Sequence, residues 1–444
     1  MSNKDITLIN FIDGIDAHLS LPLGCLSLIA SLSKNNFTVD FRDYQLFKPR
    51  KKHTLKDMAS FFKNAADIIA ISCFSYMLPY VIEIVQIIKK ETPEKIIILG
   101  GIGPSLVAGK ILDNFPCIDI IVIGDGTETL PELLKVIKHN KNYLSVKGIG
   151  FRLGPSVIFT PKRTHSHIMS DSFIEAYKNI NLKSYKKIMI LTGQGCPFRC
   201  SFCCIPEYFK QHEKRNLNIV KDEILYLSKQ KNCPKILYLR DDTFLSDKSR
   251  LYDFLSFSGQ MRFKRKIEFR CYGRINFMSE KIIKDLSRNN FGAIAYGIES
   301  GSNVILKKIK KRFTIEEATR ILLLSKKYFK EVRTSFIYGF PFESKNDFLD
   351  TITYIAYLQS MKIKLQLYLL CPLPNTQIYN YYKKILRFSE AAIPDSSPLL
   401  INTKDMKGLI IKYPDIFSTY YHYKSPALKD KFKIIKRLSC PRAN

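Results

Sequence analysis

Apolar positions in this chain come in short runs separated by longer amphipathic stretches. Up to about residue 140, runs at residues 6–11, 38–41, 68–72, 96–99 and 118–123 read as strands. Helix-length segments such as 24–34 and 80–91 lie between them. That rhythm predicts an α/β fold with a doubly wound parallel sheet, in which ligands bind outside the carboxyl ends of the strands. Residues 141–185 are polar and mixed, with Gly148, Gly150, Gly154, Pro155 and Pro161, and read as a linker. From Ile188 the alternation resumes, with strands predicted at 236–239, 267–269, 293–296, 334–338 and 365–370. Each runs into polar or charged residues, the pattern of a barrel with its active site at one mouth. Among them, Asp241 and Asp242 precede a predicted helix and are N-cap candidates.

Composition narrows the setting. The 444 residues suffice for two or three domains. The chain has 11 cysteines, but Met1-Ser2-Asn3-Lys4-Asp5 runs straight into an apolar strand without a signal peptide, and no apolar run has the length of a membrane span. A reducing cytoplasm is therefore expected, where clustered thiols mean a cofactor and not crosslinks. The net charge of +30 would suit a nucleic-acid or acidic-membrane partner. Its lysines are spread over all segments without a compact basic patch, so a dedicated nucleic-acid surface is not expected. His165 and His167 lack a third metal ligand nearby and read as solvated.

The sharpest chemistry sits in Gly195-Cys196-Pro197-Phe198-Arg199-Cys200-Ser201-Phe202-Cys203. Three thiolates on so short a loop can converge on one metal centre, and soft sulfur selects zinc or an iron–sulfur cluster. A structural zinc site usually takes a fourth ligand, whereas Cys204 is adjacent to Cys203 and His212 stands outside the usual zinc spacing. Three ligands point to a cubane with one iron left open. In this spacing, and in the aromatic Phe202 before the third cysteine, the loop resembles that of the radical S-adenosylmethionine enzymes. The resemblance implies a [4Fe-4S] cluster on Cys196, Cys200 and Cys203 whose open iron binds S-adenosylmethionine.

Two further resemblances extend this one. Ala66–Ser72, Ile98-Leu99-Gly100-Gly101 and Gly124-Asp125-Gly126 are similar to the N-terminal cobalamin-binding domain of many radical S-adenosylmethionine proteins. Ser72, Gly100, Gly101, Gly124 and Gly126 would then meet the cofactor, its nucleotide tail passing between Ser72-x-Phe74 and Gly100-Gly101. Related domains place a cobalt-ligating histidine in D-x-H-x-x-G; here Asp16-Ala17-His18 meets glycine only at Gly24, so His18 is not expected as the lower ligand. From Ile188 onward the strand-end segments resemble a partial (β/α)6 radical S-adenosylmethionine barrel of the kind shared with methylthiotransferases: an aspartate pair, an arginine, Gly297-Ile298-Glu299-Ser300-Gly301, Gly339-Phe340-Pro341-Phe342-Glu343 and Pro372-Leu373-Pro374-Asn375-Thr376. Asn375 replaces a usual glycine and tolerates the same left-handed turn. The resemblance implies that Glu299 meets the ribose or amino group of S-adenosylmethionine, that Arg270 or Arg274 pairs with its carboxylate, and that backbone near Phe202 and Gly339 lines its adenine.

The domains expected are thus a Rossmann-like cobalamin-binding domain (1–140), a linker (141–185), a radical domain (186–385) and an extension of unassigned role (386–444). The activity implied is methyl transfer to an unactivated carbon of a small-molecule or peptide substrate. The reduced cluster would split S-adenosylmethionine, the deoxyadenosyl radical would take a substrate hydrogen and methylcobalamin would supply the methyl group, an electron coming from a flavodoxin or ferredoxin. A radical cyclisation, rearrangement or epimerisation is the first alternative, Cys371 being a possible hydrogen-atom donor. A methylthiotransferase acting on nucleic acid is the second. Such enzymes carry three N-terminal cysteines, where this chain has only the scattered Cys25, Cys73 and Cys117.

Overall fold

The computed structural model describes residues 4–12, 19–47, 54–139, 141–163, 171–231, 233–260, 267–389 and 403–439. His18, His165 and His167 lie outside the described residues.

The first sheet holds β1 (Ile6–Phe11), β2 (Val39–Asp43), β3 (Ile68–Cys73), β4 (Ile96–Gly100), β5 (Ile120–Val122), β6 (Ile149–Leu153) and β7 (Ser156–Phe159) in the order β2-β1-β3-β4-β5-β6-β7. The first five are parallel. Alternate strand residues enter different cores: Leu8, Ala70, Ile98 and Ile120 pack with the helices Leu23–Lys34 and Thr129–Lys138. Ile9, Ile71, Leu99 and Ile121 pack with Leu78–Glu91 on the other face. A strand buried on both faces has no polar side to show, which is why these runs read as continuously apolar. The strand order reverses between β1 and β3, the position at which open parallel sheets leave a crevice.

Residues 149–159 fall in the stretch expected to be a linker, yet β6 and β7 pair antiparallel on this sheet's edge. Gly154-Pro155 is the turn of that hairpin, and Ile149 and Phe151 are buried by it. The glycines and proline that read as loose connection are hairpin chemistry.

The second sheet runs in chain order: β8 (Ile188–Ile190), β11 (Ile236–Leu239), β12 (Glu268–Gly273), β13 (Phe291–Glu299), β14 (Glu331–Tyr338) and β15 (Lys364–Leu369), all parallel. β8 and β15 are both edges, so the barrel is partial. Two small antiparallel pairs complete the strands: β9 (Gly193–Gln194) with β10 (Glu213–Lys214), and β16 (Leu386–Phe388) with β17 (Tyr421–Tyr423). Along β14 burial alternates strictly, one row facing the outer helices and the other the lumen. Capping boxes at Thr314 with Glu317 and at Ser344 with Asp347 start two of those outer helices.

The carboxyl ends of the two sheets border one cavity, with Ser72 and Gly100 on one side and Leu191 and Arg240 on the other. Ser20, ahead of the helix Leu23–Lys34, bridges Lys187 at the amino end of β8, and Leu21 N donates to Lys187 O at 3.1 Å. The C-terminal stretch joins both units. Met406 and Ile410 enter the first sheet's core, Tyr420 Oη donates to Tyr76 O, and Ser418 Oγ donates to Pro372 O at 2.6 Å. Helix Leu428–Ser439 packs Leu428 and Phe432 against Tyr338 and Phe348 of the barrel.

Candidate functional site

The five strand-end residues singled out in the first domain line one cavity of about 350 Å³: Ser72, Gly100, Gly101, Gly124 and Gly126. Gly101 has φ +91°, and a Cβ there would lie 3.1 Å from Cys73 O and Ser72 Oγ. Gly124 has φ +79° and Gly126 would press on Val122 and Leu28. Gly100 differs, since a Cβ would find nothing closer than Val122 at 3.9 Å. Of the pair, then, only Gly101 is required by the backbone. Gly103, which sequence reasoning passed over, is tighter still: its Cβ would sit 2.6 Å from Ser75 N. Phe74 hangs over the cavity 43% exposed and stacks on Tyr76 at 5.9 Å.

The far wall comes from the barrel: Leu191, Gln194, Tyr208, Phe209, Arg240 and Asp242. Tyr208 Oη donates to Gly124 O at 2.9 Å, tying the segment after the cysteine loop to the first domain. A second cavity of about 450 Å³ shares Gly124, Asp125, Gln194, Tyr208 and Phe209 with the first and continues to Lys162, Lys210 and Asn380. Apart from Asp242, of the aspartate pair, these barrel residues carry no local signal, because what places them is the docking of two distant segments.

The cysteine loop leaves β9 through Gly195, whose φ is +78° and whose Cβ would collide with Gln211 O. The aspartates expected to cap a helix do other work. The short helix Phe244–Ser246 has Thr243 at its N-cap without a side-chain bond. Asp241 instead accepts from Thr192 N at 2.7 Å and from its hydroxyl, and Asp242 accepts from Gly195 N at 3.1 Å. Burial pushes the Asp241 carboxyl up to about 6 in spite of those bonds. The two aspartates thus take backbone N–H groups on either side of β9, Thr192 before it and Gly195 after it, where the cysteine loop begins.

Around the cysteines, Ser201 N donates to Ile309 O at 3.3 Å and Ile378 N donates to Ser201 O at 3.0 Å. Burial raises the Cys196 thiol and pushes Cys203 up to about 12, each in the field of its neighbours in the loop. Among the described residues no three His, Cys, Asp or Glu side chains converge on a single ion. Loop cysteines that each take a different iron of a cubane need no such convergence, so the thiol set fits a cluster. The two arginines separate: Arg274 lies 3.6 Å from the Phe198 ring centroid, donates to Cys200 Sγ at 3.6 Å and to Lys311 O at 2.9 Å. Arg270 is in the strand, paired with Glu268 at 2.9 Å and Glu331 at 3.6 Å.

Glu299 is buried with φ +76°, at a register shift between β13 and β14, and pairs with Lys311 at 3.2 Å. Lys311 thus connects Glu299 to Arg274, a role no motif announced. Phe202 meets Phe340 edge-on at 6.2 Å. Gly339 has φ +87°, and its N donates to Glu343 at 2.8 Å. Glu343 in turn holds Lys431 of the C-terminal helix at 2.8 Å, both side chains fully buried. Asn375 takes the expected left-handed turn, φ +66°, and its amide reaches Leu106 O of the first domain at 2.9 Å.

Comparison with known proteins finds two matching family models. Residues 17–134 match the B12 binding domain and residues 190–355 the Radical SAM superfamily. An uncharacterized methyltransferase of Pyrococcus horikoshii is 25% identical over 370 residues, spanning 81% of this chain and 78% of that protein. The chain spans 60% and 48% of two further curated relatives. Among solved structures, the radical S-adenosylmethionine methyltransferase TsrM from Kitasatospora setae, with tryptophan substrate and an S-adenosylmethionine analogue bound, superposes with TM-score 0.75 at 17% identity over 98% of this chain and 88% of that one. The cobalamin-dependent enzyme OxsB, with aqua-cobalamin and S-adenosylmethionine, gives TM-score 0.69 at 16% identity over 97% and 65%. At these identities the two structures establish the fold.

Proposed function

Since the chain joins a B12-binding domain to a radical S-adenosylmethionine domain, and so stands among the cobalamin-dependent radical S-adenosylmethionine enzymes, we propose that it is a methyltransferase acting on an unactivated carbon of a small molecule or peptide. The observation that carries this reading is the shared cavity. Glycine ends of the first sheet form one side and Leu191, Arg240 and Asp242 of the barrel mouth the other. A cofactor received there faces the site where S-adenosylmethionine is cleaved.

Cys196, Cys200 and Cys203 hold the [4Fe-4S] cluster, and Arg274, stacked on Phe198 beside Cys200, takes the carboxylate of S-adenosylmethionine. Glu299 accepts from its ribose or amino group, held in place by Lys311; Phe202 and the Gly339 backbone border the adenine. Ser72, Gly101, Gly124 and Gly126 seat the cobalamin, with Gly100 beside them. When bound, these groups supply radical generation and a transferable methyl. The protein's own part is to hold them on rigid strand ends and exclude water.

Among the described residues no helix is long and apolar enough to cross a membrane; we place the protein in a reducing cytoplasm, served by a flavodoxin- or ferredoxin-like donor. A methylthiotransferase reading is disfavoured, since Cys25 and Cys73 lie in cores on opposite faces of the first sheet. The test is to reduce the anaerobically reconstituted, cobalamin-loaded chain and add S-adenosylmethionine. Release of both S-adenosylhomocysteine and 5'-deoxyadenosine is expected. 5'-Deoxyadenosine without S-adenosylhomocysteine would favour a radical outcome without methyl transfer.

A further inference from the structure

The lumen of the barrel is unusually charged for a surface enclosed by strands. A cavity of about 220 Å³ runs through it, bounded by Lys187, Arg240, Arg270, Arg333, Tyr238 and Tyr272. Ala293 and Ala295 of β13 keep its centre open. Four cationic side chains thus share one carboxylate on the wall, Glu331, with Glu268 beside it pairing with Arg270. Glu331 is already shared by Arg270, Arg333 and Lys364. Burial works against its charge, yet hydrogen bonds from Arg333 and Lys364 hold it down to about 2, so it is ionised at neutral pH and the excess of positive charge remains. Burial, then Arg333, Arg240 and Arg270, lower Lys187, which records mutual repulsion inside the cavity.

Like charges gathered in a partly enclosed space oppose folding unless something compensates them, and such imbalances mark binding sites. Arg240 gives the position of the ligand. Among the described residues it makes no ion pair, its guanidinium lying 4.8 Å from the Tyr272 ring centroid. It borders both this lumen and the glycine-lined cavity. Tyr272, on which it stacks, is 44% exposed, so solvent reaches the cavity beside Arg240.

We propose that the lumen is the subsite for an anionic group of the substrate, a carboxylate or a phosphate, gripped by Arg240 and Arg333. Resting on the methyltransferase reading above, this places the carbon to be modified at the seam beside Arg240, between the cleavage site and the cobalamin cavity. Planar guanidinium forks suit either oxyanion. The substrate class is accordingly a small acid or phosphate ester with a carbon close to its charged end.

The experiment is calorimetric titration of the reconstituted full chain with sodium acetate and, separately, inorganic phosphate, ionic strength being held constant with chloride. Saturable binding of at least one probe is expected, the stronger probe telling carboxylate from phosphate. Arg240→Gln, which breaks no ion pair among the described residues, should weaken it about tenfold, as should Arg333→Gln. Arg320→Gln, on an exposed helix face, should leave it unchanged, and Glu331→Gln should strengthen it. Binding of neither probe, or binding indifferent to both lumen arginines, would overturn the proposal, as would loss of cobalamin from Arg240→Gln with anion binding intact. Iron and cobalamin contents and S-adenosylmethionine cleavage, measured on the same samples, report separately on the methyltransferase reading.

Discussion

The two sheets of this protein present their carboxyl ends to one another and furnish them in opposite ways. The first offers backbone: Gly101, Gly124 and Gly126, with Ser72, among apolar walls such as Leu8, Leu23 and Ile98. The second offers charge: Arg274 at the cysteine loop, the Glu299–Lys311 pair and a lumen of arginines. The same β-α alternation therefore serves two tasks. A large preformed cofactor needs room and bare backbone, since any side chain is an obstruction. A small charged cofactor and substrate need fixed counter-charges, which only side chains supply. Added bulk should damage the first sheet's site, and lost charge the second's.

The largest effect is expected on the charge side. Cys196→Ala, Cys200→Ala or Cys203→Ala should abolish the brown chromophore and S-adenosylmethionine cleavage, while Cys204→Ala and Cys233→Ala, both buried outside the set, keep them. Iron analysis decides, and loss of the cluster with Cys204 would break the assignment. Next, Lys431→Met leaves the Glu343 carboxylate buried without its partner, at a cost of about 3–5 kcal/mol by denaturant unfolding. The double change with Glu343→Gln should recover much of that. An undiminished midpoint for Lys431→Met alone would mean the C-terminal helix does not anchor the barrel.

A smaller change, Glu299→Gln, should weaken S-adenosylmethionine binding about tenfold with cluster content intact. Unchanged affinity would leave Glu299 a structural partner of Lys311 only. The smallest effect is on pH dependence. Glu331 is ordinarily a 4.5 group and is held at about 2. Its depressed value contributes stability present above the unfolded value and lost as pH falls through 4.5 toward 2. Glu331→Gln should flatten the unfolding midpoint across that acid window, and an equally steep fall would assign it to other carboxylates.

What was legible beforehand divides along the same line. Strand rhythm was readable because buried parallel strands are apolar throughout, and the cysteine loop and glycine ends were readable because their residues are neighbours in sequence. Ser72 and Gly124 come from different strands yet meet in one cavity, as the carboxyl-end rule requires. Illegible were the partners fixed by docking: Tyr208 on Gly124, Asn375 on Leu106, Lys431 on Glu343. The hairpin at 149–159 was hidden because Gly154-Pro155 signals a turn and a linker equally. Asp241 and Asp242 misled because an acid before a helix has a local use, and only the fold brings Thr192 and Gly195 within reach.

The most direct measurement is the cobalamin-to-iron ratio of the anaerobically reconstituted full chain, compared with Gly101→Leu, Gly100→Ala and Cys200→Ala. Wild type should retain equimolar cobalamin and cluster. Gly101→Leu, whose side chain would meet Cys73 O and Ser72 Oγ, should lose cobalamin and keep the cluster with its S-adenosylmethionine cleavage. Gly100→Ala, with room for a methyl, should resemble wild type, and Cys200→Ala should keep cobalamin and lose the cluster. A wild-type chain that retains no cobalamin from excess, or a Gly101→Leu chain that binds it as tightly as wild type, would contradict the account.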